Sequence, residues 1–324
     1  MYSIHMSKKI IIITVSVIIA VVVIELFFFK SRKHSLKNVE VIIQGDTTGI
    51  AAPTVSPNSN VVFTDRDGMN VEILLPSGER WRAYEGKLAE RHFAWSPDGR
   101  RVAFRAEKNP DLIPRSFALL VADIKSRSVE QVSDYLPHLG MPMWRQVGNE
   151  LELYAPWESD TVRRRYAIEE PLIAPVAKFI LVERNGDIWL EEDGKEPRQM
   201  TLGGGVAPQI SPDGTRFIYT WADAIFVANV SDTLADKRNP IASGVSPKWS
   251  PDGTKIAYCA QWDKGHEDSM EGDIFFIDMT QQNSKPVQLT YTPKEVEIEL
   301  DWNGNNQLYY SVVNDGSLRR AEVK

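Results

Sequence analysis

One ten-residue phrase recurs almost unchanged in this chain, and it constrains the fold more than any other feature. It reads Trp95-Ser-Pro-Asp-Gly-Arg-Arg-Val-Ala-Phe104, Ile210-Ser-Pro-Asp-Gly-Thr-Arg-Phe-Ile-Tyr219 and Trp249-Ser-Pro-Asp-Gly-Thr-Lys-Ile-Ala-Tyr258. Four weaker copies share its frame. Val55-Ser-Pro-Asn runs into Val61-Val62-Phe63, and Trp144 is followed by Gly148, Leu151 and Leu153. Ala174-Pro175 precedes Phe179-Ile180-Leu181-Val182, and Trp302-Asn-Gly-Asn leads to Leu308-Tyr309-Tyr310. The anchors fall at 55, 95, 144, about 173, 210, 249 and 302, a mean period of about 41 residues. A fixed period of that size belongs to solenoids, propellers and arrays, in which each unit buries its apolar face against the next.

Each unit reads as strands. Ser-Pro-Asp-Gly is turn chemistry: Pro presets φ at the second position, Asp tolerates the third, and Gly supplies φ > 0. Apolar residues flank it on both sides, so the phrase is the tip of a hairpin, and the large Trp before it is expected to wedge between neighbouring sheets. A third strand follows at Asp187-Ile-Trp-Leu190, Ala224-Ile-Phe-Val227 and Asp273-Ile-Phe-Phe-Ile277. A fourth, more polar one follows at Arg198-Gln-Met-Thr-Leu202 and Pro286-Val-Gln-Leu-Thr290. Four strands in about 41 residues, repeated radially, make the blade of an all-β propeller. W-S-P-D-G before an apolar strand, then D-I-F/W, then Q-L-T or Q-M-T, resembles the WD40-like propeller repeat of TolB-type proteins over residues 38–324. The resemblance is specific for fold and nearly silent on function, because one fold hosts many functions.

Blade number stays open between six and seven. Seven anchors favour seven, and Val39-Glu-Val-Ile-Ile43 could add the outer strand that the last unit lacks after Leu318–Val323, closing the ring and covering an edge. Residues 144–210 hold two anchors in a short span, and one irregular blade there would give the six usual in TolB-like proteins.

Ahead of the repeats the chain changes character. Ile10–Phe29 reads IIIITVSVIIAVVVIELFFF, twenty residues with Glu25 as the lone charge. As a helix it spans about 30 Å, the thickness of a hydrocarbon core. A cleaved signal peptide has a shorter apolar run and a small-residue cleavage site, and neither is present. The chain is therefore divided into a tail (1–9), a transmembrane signal-anchor helix (10–29), a basic juxtamembrane linker (30–37) and the propeller (38–324). Glu25 either snorkels to the nearby interface or meets another membrane subunit. Lys30, Arg32, Lys33 and Lys37 outnumber Lys8 and Lys9, which taken literally tilts the body toward the cytoplasm. Long domains, however, translocate largely regardless of charge, and the resembling family is best known outside the inner membrane. The expectation is a single-pass inner or plasma-membrane protein with its ring on the periplasmic or extracellular side.

Charge splits the same way. The net of −7 is the sum of +5 over residues 1–37 and −12 over the rest. A body with that balance repels phosphate and carries no basic patch, so nucleic acid is not expected as a partner. Cys259 is the only cysteine, which excludes disulfides and cysteine-rich metal clusters within the chain; its apolar neighbours mark it as a buried thiol.

The search for chemistry returns little. There is no G-x-S-x-G elbow, H-E-x-x-H, phosphate-binding loop or dinucleotide fingerprint, so no catalytic residue is assigned and a non-enzymatic role is expected. Gly203-Gly-Gly205 lies between strands and reads as a connector, and Asp65-Arg-Asp-Gly68 as a tight turn. Asp263, His266, Glu267, Asp268 and Glu271 crowd one segment that could offer oxygen ligands to Ca²⁺, but without the spaced ligand pattern it reads better as a solvated acidic loop. No other cofactor is indicated. Trp157, Trp221 and Trp262 each fall just beyond a second strand, which puts them on one rim, either packed against neighbouring loops or offered to a partner. The leading reading is a membrane-anchored interaction scaffold or accessory subunit that meets other membrane or envelope proteins. The competing one is a propeller that binds a ligand or metal, or works as an enzyme, in its central channel.

Overall fold

The computed structural model describes residues 35–45, 48–88, 91–109, 111, 113–158, 160–172, 179–192, 194–234, 239–263, 270–292 and 295–324. They form seven antiparallel sheets in chain order, the blades of a seven-bladed β-propeller. Blade 1 holds strands Ile50–Val55, Val61–Asp65, Asn70–Leu74 and Arg80–Glu85; blade 2 holds Ala94–Trp95, Arg101–Glu107, Ser116–Asp123 and Ser128–Gln131, with Leu136–Pro137 added beside the third. Blade 5 (Val206–Ile210, Arg216–Trp221, Ala224–Asn229, Ala242–Ser243) and blade 6 (Val245–Trp249, Lys255–Asp263, Met270–Asp278, Val287–Gln288) repeat the plan. Among the described residues no helix is long and apolar enough to cross a membrane. Ile10–Phe29, Glu25 included, lies outside them.

The tight span between Trp144 and Ile210 holds two blades, with residues 173–178, including the Ala174-Pro175 anchor, outside the described residues. Blade 3 shows three strands among the described residues, Met143–Val147, Glu150–Trp157 and Asp160–Ala167. Blade 4 shows Phe179–Arg184, Asp187–Glu192 and the two-residue Arg198–Gln199. Blade 7 comprises Glu297–Trp302, Gln307–Val312 and Leu318–Val323, and its fourth strand comes from the other end of the described chain. Leu36–Ile43 pairs antiparallel with Leu318–Val323, from Leu36 opposite Val323 to Ile43 opposite Leu318. Ser35 and Lys324 exchange both backbone hydrogen bonds at 2.9 and 3.2 Å. The ring is thus closed by a strand whose sequence neighbours belong to blade 1.

The repeated phrase folds as its chemistry demands. Ser96 Oγ donates to Asp98 at 2.5 Å and accepts the Arg101 N–H at 2.9 Å, while Gly99 sits at φ 67°. Ser211–Asp213 with Gly214 and Ser250–Asp252 with Gly253 reproduce this at 2.5 and 2.7 Å. The Trp before the turn does wedge between blades, and it does so with its indole N–H aimed backwards. Trp95 donates to Thr54 O at 2.9 Å, Trp144 to Ala94 O at 2.9 Å and Trp302 to Lys248 O at 3.1 Å. Each acceptor is the residue just before the anchor of the preceding blade. Trp249 departs from the rule: its buried indole N–H has no acceptor among the described residues, its backbone N–H donates to Gln209 at 3.0 Å, and Arg216 lies 4.9 Å over its ring. One such hydrogen bond is worth about 1 kcal/mol. The larger stabilisation comes from the apolar faces of neighbouring blades, as where Ala257, Cys259, Ile274 and Phe276 of blade 6 cluster with Leu300, Trp302, Leu308 and Tyr310 of blade 7.

The D-I-F/W and Q-x-T words are also structural. Asp187 accepts Gln199 Nε2 at 3.1 Å and Thr201 Oγ1 at 3.3 Å, and Thr201 Oγ1 accepts the Ile188 N–H at 2.8 Å. Asp273, Gln288, Thr290 and Ile274 repeat the pattern in blade 6. The fourth strands can be two residues long because the threonine hydroxyl takes over where the ladder stops.

Candidate functional site

Antiparallel connection fixes which loops share a side of the ring. The Ser-Pro-Asp-Gly turns and the third-to-fourth connections emerge at one end. The second-to-third turns and blade-to-blade connections emerge at the other. Eight large apolar side chains stand most exposed among the described residues: Val39, Val41, Met69, Ile113, Leu202, Val206, Trp221 and Tyr291. Setting aside the two valines of the closing strand, all of them lie on second-to-third turns or blade-to-blade connections or, as Val206 and Trp221 do, at the strand ends that border them. The Ser-Pro-Asp-Gly rim contributes none.

The densest part of that rim is the junction of blades 4 and 5. Trp221, 42% exposed, ends the second strand of blade 5; Leu202 lies on the connection that leads into that blade and Val206 begins its first strand. The glycine cluster lets them approach. Gly204 has φ 131°, and a Cβ there would come within 2.2 Å of the Trp221 Nε1, so the indole rests on bare backbone. Asp187 anchors the connection by accepting the Gly204 N–H at 2.8 Å, and Glu183 accepts the Ala207 N–H at 2.6 Å.

The three tryptophans of this rim are not equivalent. Trp221 faces solvent at that seat. Trp157 is half-buried and packs against the cluster of Leu119, Leu139, Leu153 and Ala155 between blades 2 and 3. The Trp262 backbone ends the second strand of blade 6, and its side chain lies outside the described residues, as do those of Asp263 and Glu271 and the whole of His266, Glu267 and Asp268. Among the described residues no group of three or more His, Cys, Asp and Glu side chains is placed to hold a metal ion. Gly203-Gly-Gly205 is the connector expected, and Asp65 closes its turn by accepting the Met69 N–H at 2.8 Å. Cys259 is fully buried, and burial, followed by the charges of Glu297 and Glu299, pushes its thiol pKa up.

Inside this rim the first strands surround the channel mouth, and here the structure adds residues that the sequence reading missed. Ala52, Ala207, Ser246 and Glu299 all have φ between 48° and 53° at a register shift in the first strand of their blade. Such bulges turn the local backbone out of the ladder. Ala52 N–H is thereby aimed across the blade boundary at Glu299, 2.7 Å away, and Val55 N–H reaches Asp301 at 2.8 Å. Arg91, on the connection into blade 2, lies 3.7 Å from the other oxygen of Glu299. His92 beside it is open to solvent yet enclosed by the ring; enclosure first, then the positive charges of Lys248 and Arg105, push its pKa down to about 4. Burial raises the Asp301 pKa and Lys248 opposes that shift. Blades 1, 2, 6 and 7 therefore converge on one charged mouth whose acids are already engaged by backbone N–H groups. A sequence signal for it does exist: a small residue followed by proline, Ala52-Pro53, Ala207-Pro208 and Ser246-Pro247, stands three places before an anchor each time.

No family model matches the chain, and no curated protein matches its sequence. Solved structures do resemble it. U3-55K is 10% identical, with 88% of this chain and 98% of that one covered at a TM-score of 0.57. A virginiamycin B lyase from Staphylococcus aureus is 11% identical, with coverage of 89% and 99% and a TM-score of 0.55. TolB from Acinetobacter baumannii is 15% identical over 86% of this chain at a TM-score of 0.43, and the alignment spans 66% of the TolB chain. The chain is a propeller similar in fold to these proteins, and at such identities the likeness is one of fold alone.

Proposed function

We propose that the protein is a membrane-tethered, non-enzymatic propeller that docks another membrane or envelope protein on the rim carrying Trp221. The observation behind this reading is the one-sided distribution of exposed apolar side chains, densest at Leu202, Val206 and Trp221. Aromatic anchors surrounded by near-neutral contacts are how protein interfaces concentrate binding energy, and exposed apolar groups gathered on one side of a molecule mark interaction surfaces. The apolar run Ile10–Phe29 supplies the tether, with the ring on the outer side. Propellers of similar fold include enzymes, so the argument rests on the residues of the rim and not on likeness.

A photo-crosslinking residue in place of Trp221 in the full-length chain, expressed in native membranes, tests this. A discrete protein adduct is expected there and not at Lys195, on a third-to-fourth turn of the opposite rim. Equal labelling at both positions, or none at Trp221, contradicts the docking rim. A second reading, a small anion held in the channel mouth, is favoured by Lys248, whose ammonium makes no hydrogen bond among the described residues although His92 and Asp301 both feel its charge.

A further inference from the structure

The tether reading, on which this inference rests, has a geometric consequence for the closing strand. Six Cα steps separate Phe29, the end of the apolar run, from Ser35, the first described residue. At about 3.3–3.6 Å per residue the chain reaches at most about 20 Å. The headgroup layer takes up about 5–7 Å of that. The strand Leu36–Ile43 therefore stands beside the bilayer whenever Ile10–Phe29 is in it.

That strand is built for such a neighbour. Val39 and Val41 are each 50% exposed, within a run from Lys37 to Val41 that is exposed throughout. They are the exposed large apolar residues that the rim does not account for. The surrounding charge is positive although the body is acidic: Lys37, Arg320 and Lys324 stand against Glu40 and Glu322, and Lys30, Arg32 and Lys33 lie just ahead in sequence. Arg320 pairs with Glu40, and Lys324 pairs with Glu322 at 3.1 Å. The strand is also the edge of its sheet, but it suits a second copy poorly. Asn38 has φ 50°, and the pairing register shifts twice within eight residues, which spoils the flat edge that strand addition needs.

We propose that the outer edge of blade 7 rests on the membrane surface, with Val39 and Val41 at the headgroup boundary and Lys37, Arg320 and Lys324 facing anionic lipid. Two half-exposed valines contribute too little to hold a free ring on lipid. On a tethered ring the same contact becomes intramolecular and fixes the tilt. The blade 4–5 junction, two to three blades away around the ring, is left clear for a protein partner.

Because Cys259 is buried, single cysteines can be labelled in the otherwise native full-length chain. Val39→Cys, Val41→Cys and Lys195→Cys, each carrying a fluorophore, would be reconstituted into vesicles of phosphatidylcholine and phosphatidylglycerol containing nitroxide-labelled lipid. Quenching about threefold or more stronger at positions 39 and 41 than at 195 is expected for side chains at the headgroup boundary. It should weaken when phosphatidylglycerol is omitted. Equal quenching at the three positions overturns the proposal, and so does self-quenching between position-41 labels without lipid quenching, which would put a second copy on the edge. Alkaline carbonate extraction of the same vesicles separates the two failures. A released chain removes the tether itself, whereas a retained chain with equal quenching removes the edge contact alone.

Discussion

The two ends of the ring use the same repeat to opposite effect. At one end each Ser-Pro-Asp-Gly turn closes on itself: the serine hydroxyl goes to the aspartate, the aspartate to the next backbone N–H, and the glycine takes the left-handed turn position. At the other end the connections differ from blade to blade, and the exposed Met69, Ile113, Leu202, Trp221 and Tyr291 are found there. The regular end is regular because the fold needs it. The irregular end is where side chains remain that packing does not explain.

The largest expected effect tests the structural half of that contrast. Trp302 is buried between blades 6 and 7, so Trp302→Ala should cost about 3–5 kcal/mol by chemical denaturation. Trp302→Phe should cost only about 1–2 kcal/mol, from the lost hydrogen bond to Lys248 O. Trp221→Ala should change stability by about 0.5 kcal/mol or less. Equal costs for Trp302→Ala and Trp221→Ala would erase the distinction between wedge and rim.

A second effect concerns the blade 6–7 seam, where the Asp-Gln-Thr framework carries an extra acid. Glu297 is fully buried, accepts the Thr292 hydroxyl at 2.5 Å and lies near Asp273 and Glu295. Burial foremost, with those two carboxylates adding to it, raises its pKa to about 7. An acid raised on folding is protonated in the ring while already ionised in the unfolded chain, so its destabilising cost grows from about pH 4.5 to pH 7 and is constant above. Glu297→Gln should therefore stabilise the ring by on the order of 1–3 kcal/mol more at about pH 8 than at about pH 4. A gain independent of pH would show that the carboxylate is not titrating there.

The smallest effect belongs to the turns. The Ser211 hydroxyl, followed by the Thr215 N–H, holds the Asp213 carboxyl below the usual carboxylate range. Its contribution is present above the unfolded value near 3.8 and is lost as pH falls through the lower folded value. Asp213→Asn should lower the melting temperature slightly across the neutral range, where the ionised carboxylate contributes, and flatten the acid limb so that the two profiles converge at low pH.

How much of this could be read from the sequence follows the same division. Six of the seven anchors, the wedge tryptophans and the closing strand were legible in local words of the repeat; the anchor at about 173 lies outside the described residues. Blades 3 and 4 share a short span, and among the described residues each shows three strands, a compression that no repeat announces. Trp157 and Trp221 hold the same place in the repeat, yet one packs against Leu139 and Leu153 while the other lies over Gly204 in solvent. That difference comes from the connection each one meets, a contact between distant residues. The mouth formed by Arg91, His92, Lys248 and Glu299 was hidden for the same reason, although the small-residue–proline pairs marked its bulges.

The account turns on whether the irregular rim holds a partner. Full-length wild type and a Leu202→Ser/Trp221→Ser/Tyr291→Ser variant would be extracted from native membranes in mild detergent, and co-purifying proteins quantified by mass spectrometry. The account predicts a specific partner recovered with the wild type and reduced about tenfold or more with the variant, at an unchanged melting temperature. A partner retained in full by the folded variant would contradict it.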